Sequence, residues 1–235
     1  MRYIGRKHRI AKKLAEAILP HTKGRVLIEP FCGGMSATVA LQPAAASDAS
    51  KPLIDLILAV RVGWEPPTEV SEEAYKLSRT KELSECNVTD AFHLICCSFG
   101  GKWKGGLARG GKSEPNRNFA LEGRNVLVRK VKATLNVDFR CVSYNEYKTQ
   151  AGQVFYCDPP YEGVTNGYAT GPFDSAAFWN WARQGADNGA LIFVSEFTAP
   201  DWAEVHAEFP SKTDLGKKSG DQTTVEKLYR IGDLL

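Results

Sequence analysis

The sequence predicts an α/β fold, a mostly parallel sheet carrying an all-helical insert, and three observations predict it. Two strand–turn–helix units open the chain, helical texture takes over at 65–136, and strand–helix alternation then resumes. Alternating βα units imply a parallel sheet, because parallel neighbours need a crossover and a helix supplies it. With 235 residues, 43% of them hydrophobic, a chain of this size buries roughly 70–75% of its unfolded surface. A disordered chain and a disulfide-stapled miniprotein are excluded.

The elements follow in order. Residues 25–29 (RVLIE) form a short apolar strand that ends in Pro30, Gly33 and Gly34, and small and apolar residues then make a helix to Leu41. The pattern recurs as a strand at 44–47 leading to Asp48 and an amphipathic helix at 52–62. From Trp64-Glu65-Pro66-Pro67 the texture changes to helices at 71–84 and 88–97, a Gly-rich basic loop at 98–112 and a helical stretch at about 117–135. Strands return at 137–142 and at 153–157 (QVFYC), the latter ending in Asp158-Pro159-Pro160-Tyr161. A loop rich in Gly, Thr and Tyr runs to Phe173, a helix spans about 174–185, and 190–195 (ALIFVS) reads as a buried strand. A short helix near 200–208, a polar stretch at 216–222 and an alternating strand at 224–231 close the chain. The expected organisation is a core of 1–64 with 137–235, interrupted by an insert of 65–136.

The net charge of +3 is unevenly spread. Residues 1–25 carry eight Lys or Arg against one Glu, and residues 102–132 carry nine against two. A polyanionic partner fits this distribution, although basic runs are also ordinary solvated faces. The apolar run 53–60 is interrupted by Asp55 and falls short of the ~20 residues that span a bilayer. No apolar segment follows the basic amino terminus, so a soluble, unexported, cytoplasmic protein without a membrane partner is expected. The six cysteines show no Cys-x-x-Cys spacing and the four histidines are scattered, so no metal site is expected. With no heptad pattern or long apolar stripe to announce a partner subunit, a monomer is expected.

Two motifs carry chemistry. A strand, Glu29-Pro30-Phe31-Cys32-Gly33-Gly34 and a helix make a place where backbone can approach a ligand closely. Asp48 stands 19 residues after Glu29, where doubly wound nucleotide-binding folds place an acid to take ribose hydroxyls. An adenosine-containing cofactor is the natural candidate, while the absence of G-x-G-x-x-G and G-x-x-x-x-G-K-[ST] argues against dinucleotides and nucleoside triphosphates. Asp158-Pro159-Pro160-Tyr161 is the second motif. Prolines can simply stop a strand, yet this tetrapeptide sits at the carboxyl end of a central strand, where parallel sheets hold ligands. The Asp carboxylate and the carbonyls of two residues without N–H groups make a cluster of acceptors suited to an exocyclic amine, and Tyr161 offers a face for a base.

In order along the chain, Tyr3-Ile4-Gly5-Arg6-Lys7, Glu29-Pro30-Phe31-Cys32-Gly33-Gly34, Asp48 and Asp158-Pro159-Pro160-Tyr161 resemble the Dam-type DNA adenine methyltransferases. The resemblance spans nearly the whole chain, with lesser echoes at 139–144 and 225–229. The stretch 98–106 (SFGGKWKGG) is similar to phage-encoded members and points to a phage or prophage source. The resemblance implies a Rossmann-like S-adenosylmethionine-dependent core, its last strand antiparallel. It implies that Tyr3, Lys7, Phe31, Gly33, Gly34, Asp48 and Asp158 hold the cofactor. Asp158 and the Pro159 carbonyl would bind the adenine amino group, Pro160 would complete the motif, and Tyr161 would stack on a base flipped out of double-stranded DNA. The insert would read the target; Lys102, Lys104, Arg109 and Lys112 in its glycine-rich loop suit phosphates, Trp103 is free to stack or intercalate, and Arg117 is a further DNA-binding candidate whose base, if any, the sequence does not name.

Two positions depart from the family pattern. Met35 stands where the family commonly has Gly, and Arg6 stands where Gly is frequent. Met35 is expected to begin the helix and pack. Cytosine C5 methylation needs a Cys nucleophile in a Pro-Cys pair, and no Cys here follows a Pro. Cytosine N4 methylation of DNA, adenine methylation of RNA and an inactive DNA-binding relative stay open on the sequence.

Overall fold

The computed structural model describes residues 3, 7–162, 167–211 and 224–232. Its strands are β1 (Val26–Glu29), β2 (Ala45–Ser47), β3 (Asp138–Arg140), β4 (Gln153–Cys157), β5 (Leu191–Glu196), β6 (Glu204–Ser211) and β7 (Thr224–Ile231). They form one sheet in the order β3-β2-β1-β4-β5-β7-β6. The first five pair in parallel, and β7 runs antiparallel to β5 and β6. This is a Rossmann-like sheet with an antiparallel last strand. Its order turns back between β1 and β4, which opens a crevice over the carboxyl ends of the strands there.

The helices are α1 (Ala11–Ile18), α2 (Ser36–Leu41), α3 (Lys51–Arg61), α4 (Glu72–Thr80), α5 (Val88–Cys96), α6 (Phe119–Lys132) and α7 (Ser175–Asp187). Local chemistry starts several of them. The Asn87 side chain accepts the Asp90 N–H, and the Asp90 carboxylate accepts the Asn87 N–H in return, a reciprocal cap on α5. Asn118 and Asp174 cap α6 and α7 in the simpler way. Strand β5 is buried at every position, which explains its uninterrupted apolar run, since helices and loops cover both faces of a central parallel strand.

Two elements differ from the sequence reading. The basic opening contains α1, whose buried Ala11, Leu14, Ala15 and Ile18 follow helical spacing beneath a screen of lysines. The segment 204–211 is a strand, β6, and not the short helix expected near 200–208. Pairing with β7 decides its conformation, and a register shift between Val205 and Ala207 disturbs the two-residue alternation that marks a strand. Residues 4–6 of the amino-terminal motif and the polar stretch 216–222 lie outside the described residues. Among the described residues, no helix is long and apolar enough to cross a membrane and no cluster could hold a metal ion.

The insert shares a hydrophobic core with the rest of the chain. Leu53, Ile54 and Ile57 of α3, Phe92 and Ile95 of α5, and Leu127 and Val131 of α6 belong to one buried cluster with Met35 and Phe139. Helix α6 closes tightly on α5, because a Cβ at Gly123 would lie 3.0 Å from the Cys96 side chain. Buried polar groups tie α4 to α5: the Ser78 hydroxyl lies 2.8 Å from the Asp90 carboxylate and 2.9 Å from His93 Nδ1, and Lys81 pairs with Asp90 at 2.7 Å.

Since one cluster joins α3, α5 and α6, thermal unfolding is expected to be a single transition. Leu127→Ala should cost about 2–5 kcal/mol in a denaturant melt. A separate early transition for residues 65–136 would show instead that the insert is held independently.

Candidate active site

The carboxyl ends of β1, β2 and β4 deliver Glu29, Asp48 and Asp158 to the crevice at the switch point. A cavity of about 250 Å3 opens there, lined by Tyr3, Lys7, Phe31, Gly33, Gly34, Asp48 and Asp158 among others. All seven residues expected to hold a cofactor thus meet in one place, drawn from widely separated parts of the chain.

The turn after β1 is built around the Asp48 carboxylate, which accepts the Gly33 N–H at 3.1 Å and the Ser50 N–H at 2.9 Å. Burial pushes Asp48 up to about 6, and these two N–H groups hold it from going higher. Gly33 has φ +41°, and a Cβ there would stand 3.1 Å from the Tyr3 ring, so glycine lets Tyr3 close over the turn. Met35 also sits in the left-handed region, at φ 55°, and is fully buried. It packs immediately before α2 begins. Glycine is the residue that accepts such a φ without cost, and here a fully buried methionine holds it instead.

Around this turn lies an aromatic wall. The Phe31 ring stacks on Tyr144 at 5.5 Å between centroids and meets Phe173 and Phe178 edge-on. Tyr168 faces Tyr3 from the far side at 6.2 Å. Glu29 also faces the cavity and is 1% exposed, with Oε2 lacking a hydrogen-bond partner. Burial raises its carboxyl well above the usual range, opposed by Thr38 and by the nearby Lys130 ammonium. Glu29, Tyr144 and Tyr168 were not among the expected site residues. Glu29 opens the turn motif itself and Tyr144 ends the echo at 139–144, whereas Tyr168 has no signal beyond its aromatic character.

At the mouth of the cavity, Lys7 Nζ lies 2.7 Å from Asp158 Oδ1 and 3.3 Å from Glu226 Oε1, and donates to the Tyr161 hydroxyl. It also stands 4.5 Å from the centroid of the Tyr161 ring, in cation–π range. Tyr161 is braced by Phe197, whose ring meets it edge-on at 4.8 Å. Burial pushes Asp158 up to about 6; Lys7 opposes this and Glu226 adds to it. Burial pulls the Lys7 ammonium down, but the two carboxylates outweigh it and hold the amine above its ordinary value. Glu196, beside this group at the end of β5, is raised to about 7 by burial, and the Phe197 N–H bonded to it at 2.7 Å counteracts the rise. Pro159 is buried and Pro160 lines the cavity. Glu226 comes from β7, inside the stretch 225–229 singled out in the sequence, which gave no sign that its carboxylate reaches Lys7.

The basic loop folds back as a small hairpin, with a bridge between Ser98 and Leu107 and a bond from the Phe99 N–H to the Gly106 carbonyl at 2.7 Å. It borders the cavity, because the Trp103 N–H donates to the Gly167 carbonyl at 2.8 Å beside Tyr168. Lys102 and Lys112 are exposed. Lys104 donates to the Lys81 carbonyl at 2.6 Å, Arg109 pairs with Glu72 at 2.6 Å, and Arg117 pairs with Glu114 and Glu122 at 2.7 Å each. Trp103 is half-buried against the insert's core, and the aromatic that projects from the hairpin is Phe99, 68% exposed. In sequence the two rings are four residues apart in the same glycine-rich loop, and only the hairpin's backbone decides which one faces out.

The chain matches no family model and no curated protein. Solved structures align along nearly its full length at low similarity. One is a proposed methyltransferase, yhhF, from Escherichia coli, at TM-score 0.37 and 14% identity over 95% of this chain and 85% of that one. Another is a proposed RNA methyltransferase, PH1948, from Pyrococcus horikoshii, at TM-score 0.42 and 10% identity over 97% and 85%. A third is SMU.472, a proposed methyltransferase complexed with SAH, at TM-score 0.38 and 12% identity over 98% of this chain and 55% of that one. The chemistry assigned to this chain rests on its own site residues.

Two measurements probe the site's electrostatics. The side-chain carboxyl of Asp158 should titrate near 6 by carbon NMR, and Lys7→Met should move that titration upward; an unmoved titration would mean that the ion pair does not govern it. A carboxyl raised in the folded state favours folding when protonated. Asp48 and Asp158 therefore make the fold less stable as pH rises from their ordinary 3.8 to about 6.

Proposed function

We propose that this protein transfers a methyl group from S-adenosylmethionine to the N6 amine of an adenine flipped out of DNA. The observation that carries the reading is the convergence of Asp158, Asp48 and Phe31 on one cavity, with the Tyr161 ring next to it against Lys7, which lines the same cavity. The cavity suits an adenosine-bearing ligand: it pairs an aromatic wall with the buried Asp48 carboxylate and the unpartnered Glu29 Oε2. Phe31, Gly33 and Gly34 would underlie the ligand, Asp48 would take its ribose hydroxyls, and Tyr3 and Lys7 would close it in. When bound, S-adenosylmethionine supplies a methyl already activated by its sulfonium.

What the chain contributes is orientation and charge. The Asp158 carboxylate and the Pro159 carbonyl accept the two N–H bonds of an exocyclic amine, which fixes the nitrogen and aims its lone pair at the methyl. Asp158 is ionised above about 6, so it accepts a hydrogen bond at neutral pH and is the nearest base for the proton the amine gives up. The Tyr161 face holds the base plane, and Phe197 stops that ring from turning. No covalent nucleophile is required, and the buried cysteines pack as small apolar groups. The exposed Lys102 and Phe99 of the hairpin support the DNA reading, as a cation suited to the phosphate backbone and an apolar ring suited to a base step.

The deciding experiment incubates the protein with S-adenosylmethionine and methylation-free duplex DNA, followed by nucleoside mass spectrometry. N6-methyladenine is expected from the wild type and not from Asp158→Ala; N4-methylcytosine, or methylation of RNA alone, would overturn the substrate assignment. Lys102→Ala should weaken DNA binding uniformly across sequences and reduce the slope of log affinity against log salt by about one. An unchanged slope would remove the hairpin from the DNA interface.

A further inference from the structure

We infer that Lys130 is a positioning residue for the cofactor turn, so that the helical insert supplies part of the cofactor site. This rests on the cofactor reading above and goes beyond it, because the insert is otherwise only a reader of DNA.

Lys130 lies on α6, between Leu127 and Val131 of the buried cluster. Its ammonium donates to the Gly34 carbonyl and, at 2.8 Å, to the Ser36 hydroxyl, partners 96 and 94 residues away in sequence. Both partners line the cavity. The far end of the same short helix is tied to the same insert helix, for the Gln42 side chain donates to the Ala133 carbonyl at 3.0 Å. Between these ties, Met35 occupies the left-handed region at φ 55° with its side chain in the cluster that α6 helps to build. Helix α2 is thus clamped at its start, its end and its entry residue by groups that belong to, or pack with, the insert.

The clamp has a physical purpose. A turn with Gly33 at φ +41° and Met35 at φ 55° needs support beyond its own bond from the Met35 N–H to the Cys32 carbonyl, because a left-handed non-glycine residue persists only where its surroundings fix it. The Lys130 ammonium holds the Gly34–Met35 peptide at its carbonyl, while the N–H of the same peptide is held by the Cys32 carbonyl at 2.8 Å, so the turn that lines the cavity is fixed from both sides. It also places a positive charge where it bears on the buried Glu29 carboxyl, drawing it toward the ionised form against its burial.

The test is calorimetric binding of S-adenosylhomocysteine, which occupies the donor site without reacting. Lys130→Met is expected to weaken binding about tenfold, through loss of two charge-assisted hydrogen bonds, while Lys130→Arg retains most of it. In methyl transfer, Lys130→Met should raise KM for the donor and leave kcat at saturating donor near the wild-type value. DNA affinity by gel shift should not change, which separates a misplaced turn from a damaged insert. Should Lys130→Met fail to fold, Gln42→Ala and Ser36→Ala cut the same clamp from its other side and should each weaken binding several-fold. Equal affinity in the wild type and in these variants would overturn the inference alone, whereas no binding by the wild type would remove the cofactor reading and the inference with it.

Discussion

Two carboxyls are buried in the same crevice, and much of the surrounding structure bears on how easily they ionise. The parallel sheet leads β2 and β4 to the switch point, where Asp48 and Asp158 are each raised to about 6 by burial. Asp48 is steadied by two backbone N–H groups, a local remedy that needs only a tight turn. Asp158 ends a strand followed by two prolines, which offer no N–H, so its counter-charge must come from elsewhere in the chain. Lys7 provides it from the amino-terminal segment, and Glu226 shares the same ammonium from β7, two strands along the sheet from β4.

That arrangement explains why the antiparallel strand matters to a site at the far side of β5. Strand β7 pairs with β5 over five residues, from Ile192 with Ile231 to Glu196 with Lys227. The pairing carries Glu226 to the mouth of the cavity and sets Glu196 beside the same ion pair. The electrostatics of the crevice are therefore a property of the whole sheet, not of one motif.

The strand boundaries at 153–157 and 224–231, the order of βα units and the cavity residues that belong to strand-end motifs were legible in the sequence, because such motifs announce themselves through Gly, Pro and Asp, whereas Tyr168 on its loop was not. Helix α1 was hidden because its lysines mask an apolar stripe of four residues. Strand β6 was misread because a bulge spoils its alternation and only a distant partner makes it a strand. In the basic loop, composition revealed cations and aromatics but not their pairing, so Arg109 and Arg117 proved to have acidic neighbours and Phe99, not Trp103, proved to be the exposed ring. Met35, a departure from the family pattern in sequence, became intelligible once its φ and its burial were known.

The two rims of the sheet share a further property. Strand β3 is three residues long, and β6 at the other rim carries a bulge, exposed glutamates at Glu204 and Glu208, and Pro210, which has no N–H to offer a newcomer. A second chain seeking to extend the sheet would find a short ladder on one side and a kinked, negatively charged one on the other. Such edges oppose strand-by-strand polymerisation, and a protein built this way can accumulate in a crowded cell without its own sheet seeding fibres.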